Sequence, residues 1–338
     1  MTSKDITEIF KKFNSLKVLV IGDVMIDSYL WGKVERISPE APVPIVTVNR
    51  RENRLGGAAN VALNLQALGA TPVLCTVIGD ESKGLLFTEL LDDQNLSKKG
   101  IIKSKNRITT TKFRIIGNHT QMLRVDEEID AGISEKETEM LYEVIEKLTD
   151  TEKIDVIIFE DYDKGVISSL LIKKVTDLAL KKTIPVAADP KRKNFTAYRN
   201  ITLFKPNLKE LKEGLKFDFS TKNLSDLEKV VDDLQIKNNI DIVMVTLSEA
   251  GVYLSLKDHK SNTIVSRHNI PAQVRNIADV SGAGDTVISV AALCLALKLD
   301  PYSIATLANL AGGLVCEEVG VVPVNKAKLI KEALTLSL

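Results

Sequence analysis

Short apolar runs alternate with stretches of helical periodicity along most of this chain of 338 residues. The runs Lys17–Gly22 and Pro72–Ile78 are apolar at successive positions, as is typical of strands buried on both faces of a parallel sheet. Comparable runs follow at Val156–Phe159, Pro185–Asp189, Leu203–Lys205 and Asp241–Thr246. Because helical stretches lie between these runs, the sequence predicts an α/β domain of three layers, with helices on both faces of a mostly parallel central sheet.

The helical stretches carry apolar residues at the spacing of one helix face. They are predicted at Ile6–Phe13, Ala58–Leu68, Leu85–Leu91, Glu135–Leu148, Ser169–Lys181, Leu224–Lys237, Ala283–Leu297 and Tyr302–Val319, with a short helix closing the chain. Two late segments, Gly251–Ser255 and Thr263–His268, instead predict a hairpin. The sequence has neither an internal repeat nor a long flexible linker, so we expect a single domain over residues 1–338.

A second group of β-rich segments interrupts this alternation. Their apolar and polar residues alternate in part, which indicates strands with one exposed face. The segments are Tyr29–Val34, Val43–Arg51, Thr109–Ile116 and Thr120–Val125. They predict a small sheet that stands off the main body and is formed by about residues 28–55 and 107–125.

The composition excludes several classes of function. Lys plus Arg and Asp plus Glu each number 45, so no excess of positive charge points to nucleic acid or to an anionic membrane surface. Three well-separated cysteines in apolar surroundings indicate buried thiols in a reducing compartment. The first residues lack the apolar core of a secretory signal, and no apolar run reaches the roughly 20 residues of a membrane span. We therefore expect a cytoplasmic protein.

A glycine-rich turn, Asp279-Val-Ser-Gly-Ala-Gly-Asp285-Thr286, opens directly into the most apolar predicted helix. Unpaired N–H groups and the positive end of the helix dipole meet at such a helix start and can hold an anion. A carboxylate at the same point, Asp285, can accept a proton from an alcohol while the amides stabilise a transferring phosphoryl group. The turn thus favours phosphoryl transfer to a hydroxyl, although an ordinary capping turn on a core helix has the same pattern.

Two early segments have the polar groups and small residues that a sugar site needs. Asp23 and Asp27 follow the first predicted strand, and ionised carboxylates are strong acceptors for sugar hydroxyls; capping of turns is the alternative. Gly56 and Gly57 precede a predicted helix and would let a ligand approach the backbone closely. Asn60 adds a side-chain donor and acceptor at that helix start.

Other polar residues follow the later strands. Lys164 and Lys191 are candidates for binding phosphate as compact point charges, or else decorate surface loops. Asn207 and Glu210, three apart at a helix start, could order waters around Mg²⁺ or merely stabilise the helix N-terminus. Thr246, Ser248 and Gly251 would suit nucleotide phosphates or ribose. Neither the Walker phosphate loop nor a dinucleotide-binding glycine fingerprint occurs in the sequence, so any nucleotide site belongs to another type.

Taken in order, these segments resemble the ribokinase-like (PfkB) carbohydrate kinases, from about Lys17 to the end of the chain. The marks are the early Gly-Asp, the Gly56-Gly57 with Asn60, the Asn207-x-x-Glu210 and the Gly282-Ala-Gly-Asp285. A closer resemblance is to the heptose 7-phosphate kinase branch of that family. It is carried by the segments Gly22–Asp27, Arg36–Pro44, Gly56–Ala62, Thr111–Arg114, Asp161–Gly165, Asp189–Lys191 and Pro206–Glu210.

The resemblance implies a ribokinase-like fold whose small sheet is a lid, and an ATP-dependent kinase for the anomeric hydroxyl of D-glycero-β-D-manno-heptose 7-phosphate. It implies that Asp285 is the catalytic base and that the amides of Gly282, Ala283 and Gly284 form the anion hole. The residues expected to hold the sugar are Asp23, Asp27, Gly56, Gly57 and Asn60, with Lys164 and Lys191 as contacts to the sugar phosphate or ATP. Those expected at the nucleotide and its Mg²⁺ are Asn207, Glu210, Thr246, Ser248 and Gly251.

The resemblance has further implications. Asp279 and Ser281 match positions that bind a monovalent cation such as K⁺ in some members, and the lid is often the surface of a homodimer. Many members of the heptose branch also carry a nucleotidyltransferase domain with an H-x-G-H motif; the sequence lacks that motif, so we expect a separate enzyme for that step. The alternatives are a kinase of the same superfamily for another sugar, sugar phosphate or nucleoside, and a non-catalytic sugar-phosphate sensor.

Overall fold

The computed structural model describes residues 3–217, 224–258, 260–273 and 275–336. Their larger sheet has nine strands in the order β13-β12-β11-β10-β9-β8-β1-β4-β5. The strands are β1 (Lys17–Gly22), β4 (Thr71–Gly79), β5 (Ser97–Ser104), β8 (Val156–Glu160), β9 (Val186–Asp189), β10 (Leu203–Phe204), β11 (Ile242–Thr246), β12 (Val252–Asp258) and β13 (Thr263–Ile270). Neighbours from β5 to β11 pair in parallel, and β12 and β13 add an antiparallel edge.

Helices cover both faces of this sheet. One face packs against α1 (Ser3–Lys12), α2 (Ala58–Ala67), α3 (Ser82–Asp93), α8 (Ala283–Ala296), α9 (Pro301–Val315) and α10 (Lys326–Ala333). The other packs against α4 (Glu135–Thr151), α5 (Ser169–Lys182), α6 (Leu208–Leu215) and α7 (Leu224–Asn238). This arrangement confirms the predicted three-layer α/β/α fold.

The two hydrophobic cores follow directly from the alternation of side chains along each strand. In β1, Val18 and Val20 belong to the core on one face, and Leu19 and Ile21 to the core on the other. All four are fully buried, which explains why the segment is apolar at successive positions. Within the described residues, no helix is long and apolar enough to cross a lipid bilayer.

The smaller sheet has four strands in the order β3-β2-β6-β7. They are β2 (Val24–Ile37), β3 (Pro44–Gly57), β6 (Thr111–Gly117) and β7 (Thr120–Glu127). The long strands β2 and β3 start and end beside the larger sheet, because Val24 follows β1 closely and Gly57 leads directly into α2. The smaller sheet therefore stands at the edge of the main body where the chain of β1 leaves it.

Strand β5 is the element that the sequence pattern did not predict. Its segment, Ser-Lys-Lys-Gly-Ile-Ile-Lys-Ser, pairs only with β4 at the edge of the sheet. Lysines on an edge strand hinder pairing with other chains. Because only some of its residues are buried, the segment lacks the continuous apolar run that identifies the central strands.

Gly22 is required by close packing between two strands that end at the polar edge of the sheet. A Cβ at this position would overlap the carbonyl oxygen of Glu160 and would lie 3.1 Å from the Cβ of Ala58. We expect Gly22→Ala to lower the free energy of unfolding by roughly 1–3 kcal/mol, measured by urea denaturation. Gly132→Ala is the matched control, because no atom of the described residues lies within 4 Å of its Cβ position. Equal stability of the two variants would contradict this packing.

Candidate active site

The carboxyl ends of neighbouring parallel strands place charged residues at the base of one cleft. Strand β8 ends at Glu160 and β9 at Asp189, and Lys205 follows β10 directly. The register pairs Glu160 with Asp189. The cleft, about 1640 Å³, runs from this edge to the start of α8 and is lined by Asp189, Lys205 and Asp285 among others. Ligands of open α/β sheets collect at such an edge.

The glycine-rich turn forms the start of α8. Gly282 has a φ of +79°, a left-handed conformation that favours glycine, and it is the N-cap residue of the helix. The helix that follows is almost wholly buried, so its first turn is held in place by the core. Asp285 lies in that first turn and faces the cleft, although it is only 5% exposed.

Two hydrogen bonds hold the carboxylate of Asp285. The Nδ2 of Asn60, on α2, donates to Oδ2 at 2.6 Å, and the hydroxyl of Tyr162, in the loop after β8, donates to Oδ1 at 2.8 Å. Burial raises the pKa of Asp285 to about 6, while these two donors oppose the rise. Burial and the charge of Asp285 also raise the pKa of Tyr162, so its hydroxyl remains a donor. Asp285 is therefore ionised near neutral pH and can accept a proton.

Within the described chain, two of the three predicted amides at the helix start have no acceptor. The N–H of Ala283 donates to the carbonyl of Val280 at 3.3 Å, so it is already used. The N–H groups of Gly282 and Gly284 have no acceptor among the described residues, and neither has that of Asp285. A Cβ on Gly284 would lie 3.6 Å from Asp189 Oδ2 and 3.7 Å from Lys205 Nζ, which places an ammonium group beside these amides. The combination suits an anion.

Among the described residues, carboxylate oxygens without partners occur on Asp189, which lines the cleft, and on its fully buried neighbour in the sheet, Glu160. One carboxylate oxygen of Asp189 forms an ion pair with Lys205 at 2.8 Å. The other oxygen has no partner among the described residues. The same holds for both oxygens of the fully buried Glu160. Burial and repulsion from Asp189 and Asp285 raise the pKa of Glu160 well above its usual range. Burial would lower the pKa of Lys205, but the neighbouring carboxylates outweigh burial and raise it.

The predicted Asn207 and Glu210 pair forms a capping box at the start of α6. The side chain of Asn207 accepts from the N–H of Glu210 at 2.8 Å, and Glu210 Oε2 accepts from the N–H of Asn207 at 2.8 Å. The other oxygen of Glu210 forms an ion pair with Lys191. Burial would lower the pKa of Lys191, yet Asp189 and Glu210 raise it. All three residues line the cleft, and their role toward Mg²⁺ stays a prediction.

The predicted nucleotide residues lie along the same cleft. Thr246 ends β11, Ser248 lies in the turn that follows, and Gly251 has a φ of +90°. All three line the cleft. A Cβ on Gly251 would overlap the carbonyl oxygen of Ile270, so this glycine is required by the approach of β13. The structure thus joins these residues to the start of α8 in one concave surface.

Asp23 has a structural use in the molecule. Its two carboxylate oxygens accept from the N–H groups of Tyr162, Lys164 and Val166, at 2.9, 3.0 and 2.9 Å. Burial raises its pKa, and these backbone donors oppose the rise. Asp23 is outside the large cleft and holds the loop that carries Tyr162. The contacts that the structure shows for Asp23 are those with this loop. Its contact with a sugar stays a prediction.

Asp27 and the two glycines lie at the junction of the two sheets. The buried Asp27 forms an ion pair with Arg114 on β6. A Cβ on Gly56 would overlap Asp27 Oδ2, and Gly57, with a φ of +61°, leads into α2 and Asn60. The glycines therefore permit the close approach of Asp27 and of the chain near Asp23, and their predicted contact with a ligand stays a prediction.

The remaining predicted residues lie away from the cleft. Lys164 forms an ion pair with Glu128 at 2.6 Å, which directs its ammonium group toward the smaller sheet. Asp279 accepts from the N–H groups of Ser281 at 2.9 Å and Gly320 at 3.0 Å. Asp279 thereby connects the turn before α8 to the segment after α9. The predicted monovalent-cation role of Asp279 and Ser281 stays a prediction.

Sequence reasoning missed Tyr162, Glu160 and Lys205 as site residues. Each lies at or just beyond the carboxyl end of a parallel strand, which is the one signal that could have identified them. In the sequence they stand among other charged residues, and their proximity to Asp285 depends on the order of the strands.

Comparison with known proteins agrees with this geometry. The pattern of the pfkB family carbohydrate kinases matches residues 15–328. The bifunctional protein HldE of Geotalea uraniireducens is 35% identical over 332 residues, covering 98% of this chain. HldE of Campylobacter curvus is 36% identical over 310 residues, covering 92%. The chain spans less than two thirds of the length of these relatives, at 66% and 63%.

Solved structures share the fold at low sequence identity. Phosphofructokinase-2 from Escherichia coli, in complex with potassium, superimposes with a TM-score of 0.76 at 18% identity, over 95% of this chain and 99% of that one. Ribokinase from Arabidopsis thaliana, complexed with ribose and ATP, gives 0.69 at 16% identity, over 94% and 99%. Together with the family match and the carboxylate at the start of α8, these findings establish that the chain belongs to the pfkB family of carbohydrate kinases and support its being an ATP-dependent sugar kinase.

Proposed function

We propose that this kinase phosphorylates the anomeric hydroxyl of D-glycero-β-D-manno-heptose 7-phosphate to the 1,7-bisphosphate, a step toward ADP-heptose for lipopolysaccharide. The observation that best supports phosphoryl transfer to a hydroxyl group is the position of the Asp285 carboxylate. It is held by two hydrogen bonds and lies beside helix amides that have no acceptor in the described chain. The heptose is supported by the ordered motifs of the sequence and by the HldE relatives.

In this proposal, Asp285 accepts the proton of the sugar hydroxyl as that oxygen attacks the terminal phosphorus of ATP, and the bond from this phosphorus to the bridging oxygen breaks to release ADP. Asn60 and Tyr162 fix both oxygens of the carboxylate, so little reorientation is needed before proton transfer. The amides of Gly282, Gly284 and Asp285 and the ammonium group of Lys205 would stabilise the charge that develops on the transferring group. Preorganised donors of this kind stabilise a phosphoryl transition state.

The residues at the base of the cleft fit a divalent cation. Mg²⁺ in kinases is held by one or two carboxylates together with substrate phosphates and waters. Asp189 lines the cleft and provides a carboxylate oxygen without a partner in the described chain, whereas the oxygens of Glu210 are engaged by Lys191 and Asn207. We therefore propose that Asp189 would hold Mg²⁺, with Asn207 and Glu210, which line the same cleft, ordering its waters. When bound, Mg²⁺ would offset the charge of the triphosphate.

We also propose that the smaller sheet closes over the sugar and joins two copies of the chain. Its edge strand β7 is exposed along its whole length. Three apolar side chains of that strand, Met122, Leu123 and Val125, are 42%, 54% and 45% exposed. Apolar groups on an unpaired edge favour association with another chain, and a second copy is the partner expected from the resemblance to the family.

The role of Asp285 is tested by Asp285→Asn. The amide cannot accept the proton, so we expect kcat to fall roughly 10²- to 10⁴-fold while ATP binding, measured by calorimetry, changes little. Asp80→Asn, at an exposed position, is the control and should retain the activity. Near-normal turnover of the Asp285 variant would show that another group is the base.

The pH profile is expected to report the titration of Asp285. Its pKa of about 6 means that kcat/KM should rise as the pH increases through about 6 and reach a plateau above it, because only the ionised carboxylate accepts a proton. Tyr162→Phe removes a donor that favours the ionised form and should move this limb up by roughly one pH unit. Tyr142→Phe, on α4, should leave it in place. If the pH profile of Tyr162→Phe were the same as that of the unaltered protein, the rise near pH 6 would not report the titration of Asp285.

The substrate is tested by ADP release with heptose 7-phosphate, fructose 6-phosphate, ribose and adenosine. We expect kcat/KM to be highest for heptose 7-phosphate. If the protein prefers another compound of this panel, that compound replaces heptose 7-phosphate as the proposed substrate, and the proposed kinase reaction still holds. ADP release from none of the four would instead favour the sugar-phosphate sensor.

A further inference from the structure

One face of the smaller sheet carries an aromatic platform surrounded by arginines. Tyr29 and Trp31 are stacked with ring centroids 6.0 Å apart. The guanidinium groups of Arg54 and Arg114 lie 4.9 and 5.3 Å from the centroid of the Tyr29 ring. Arg50 lies 4.9 Å from the centroid of Trp31. Stacking of this kind restrains the planes of the guanidinium groups.

The strand register places these groups on one face. Tyr29 of β2 is opposite Arg114 of β6, and its neighbours two residues away, Asp27 and Trp31, are opposite Arg54 and Arg50 of β3. Side chains two residues apart share a face of a sheet. The strand pairing therefore brings Arg54 and Arg114 together around Tyr29 and places Arg50 at Trp31.

A single residue, Val321, lies between this face of the sheet and the start of α8. Arg54 Nη1 donates to the carbonyl of Val321 at 3.4 Å. On its other side, Val321 Cγ1 lies 3.3 Å from the Cβ position of Gly282, the N-cap residue of α8. The same Gly282 position lies 3.2 Å from Asn60 Nδ2, which bonds Asp285. The arginines are thus connected to the carboxylate of Asp285 by a short series of contacts through Val321, Gly282 and Asn60.

The arginines retain donors that the protein does not use. Arg54 donates Nε to Glu52 at 2.6 Å, and Arg114 donates Nη1 to Asp27. Within the described residues, the Nη2 of Arg54 and the Nε and Nη2 of Arg114 have no acceptor. Both side chains are mostly covered, at 28% and 17% exposed. Half-buried guanidinium groups with unused donors are suited to an anion with several oxygens.

We propose that Arg54 and Arg114 bind a phosphate group carried by the sugar at the end remote from the hydroxyl that is phosphorylated. This inference rests on the proposed function and names the part of the chain that selects a phosphorylated sugar over a free one. Arginine is fitted to the task because its planar fork can give two parallel hydrogen bonds to phosphate. Lys164, by comparison, is paired with Glu128.

The alternative is that the arginines only order the smaller sheet through Asp27 and Glu52. Each of these carboxylates engages one edge of a guanidinium, which explains the orientation of the arginines but not the donors left unused. An ordering role would affect every sugar equally. A phosphate-binding role would affect only sugars that carry the phosphate, and this difference decides the test.

The experiment measures kcat/KM for heptose 7-phosphate and for the dephosphorylated heptose, and for fructose 6-phosphate and fructose. For Arg54→Gln and Arg114→Gln we expect the ratio of phosphorylated to free sugar to fall roughly 10- to 100-fold, with the free sugar changing less than about twofold. Arg51→Gln is the matched control, because Arg51 is opposite Leu30 and on the other face of β3. Its ratio should equal that of the unaltered protein.

Arg114→Gln leaves the buried Asp27 without its partner, so thermal unfolding is measured first, and Arg54→Gln carries the test if the other variant does not fold. An unchanged ratio, or an equal loss for both forms of the sugar, overturns the inference. If the protein prefers fructose 6-phosphate to heptose 7-phosphate, the proposed substrate fails, and the same ratio measured with fructose still tests the arginines. If kcat/KM is no higher for either phosphorylated sugar than for the same sugar without phosphate, the inference fails.

Discussion

The pair of hydrogen bonds on the carboxylate of Asp285 joins three parts of the chain that are distant in sequence. Asn60 comes from the helix after the smaller sheet, Tyr162 from the loop after β8, and Asp285 from the start of α8. A buried carboxylate is costly unless it is hydrogen-bonded, so these donors make it possible for an ionised acid to remain inside the domain. The site can form only when all three parts have taken their places.

The buried acidic residues near Asp285 destabilise the fold, and a functional role best explains their presence. Glu160, Asp189 and Asp285 lie close together in a buried space, and among the described residues only Lys205 forms an ion pair with one of them. Buried acidic groups that repel one another raise the pKa of their neighbours and destabilise the fold. A cation together with an anionic nucleotide would relieve both the repulsion and the unpaired oxygens. The domain must therefore supply the stabilisation elsewhere, in the two large apolar cores.

The sequence predicts the scaffold well because periodicity reports burial directly. The strand at Lys17–Gly22 and the helix after Asp285 are apolar for the physical reason that both lie in the core. The glycine turn was also predictable, because its small residues and acid have a chemical meaning of their own. Tyr162 and Lys205 were not, since their significance arises only from the register of β8 to β10. The same limit applies to Asp23, whose three backbone donors come from a loop more than 130 residues later.

The proposed phosphate-binding arginine Arg54 and the residue that holds Asp285 belong to one short segment of chain. Strand β3 contains Arg54, ends at Gly57, and continues into α2, where Asn60 donates to Asp285. Gly57 has a left-handed backbone, and a Cβ at either Gly56 or Gly57 would overlap or crowd atoms of β2 or the segment before it. The turn between sheet and helix is therefore fixed by packing. A displacement of the smaller sheet would reach Asn60 through only a few residues, so the proposed closure over a substrate would be mechanically connected to the orientation of the Asp285 carboxylate.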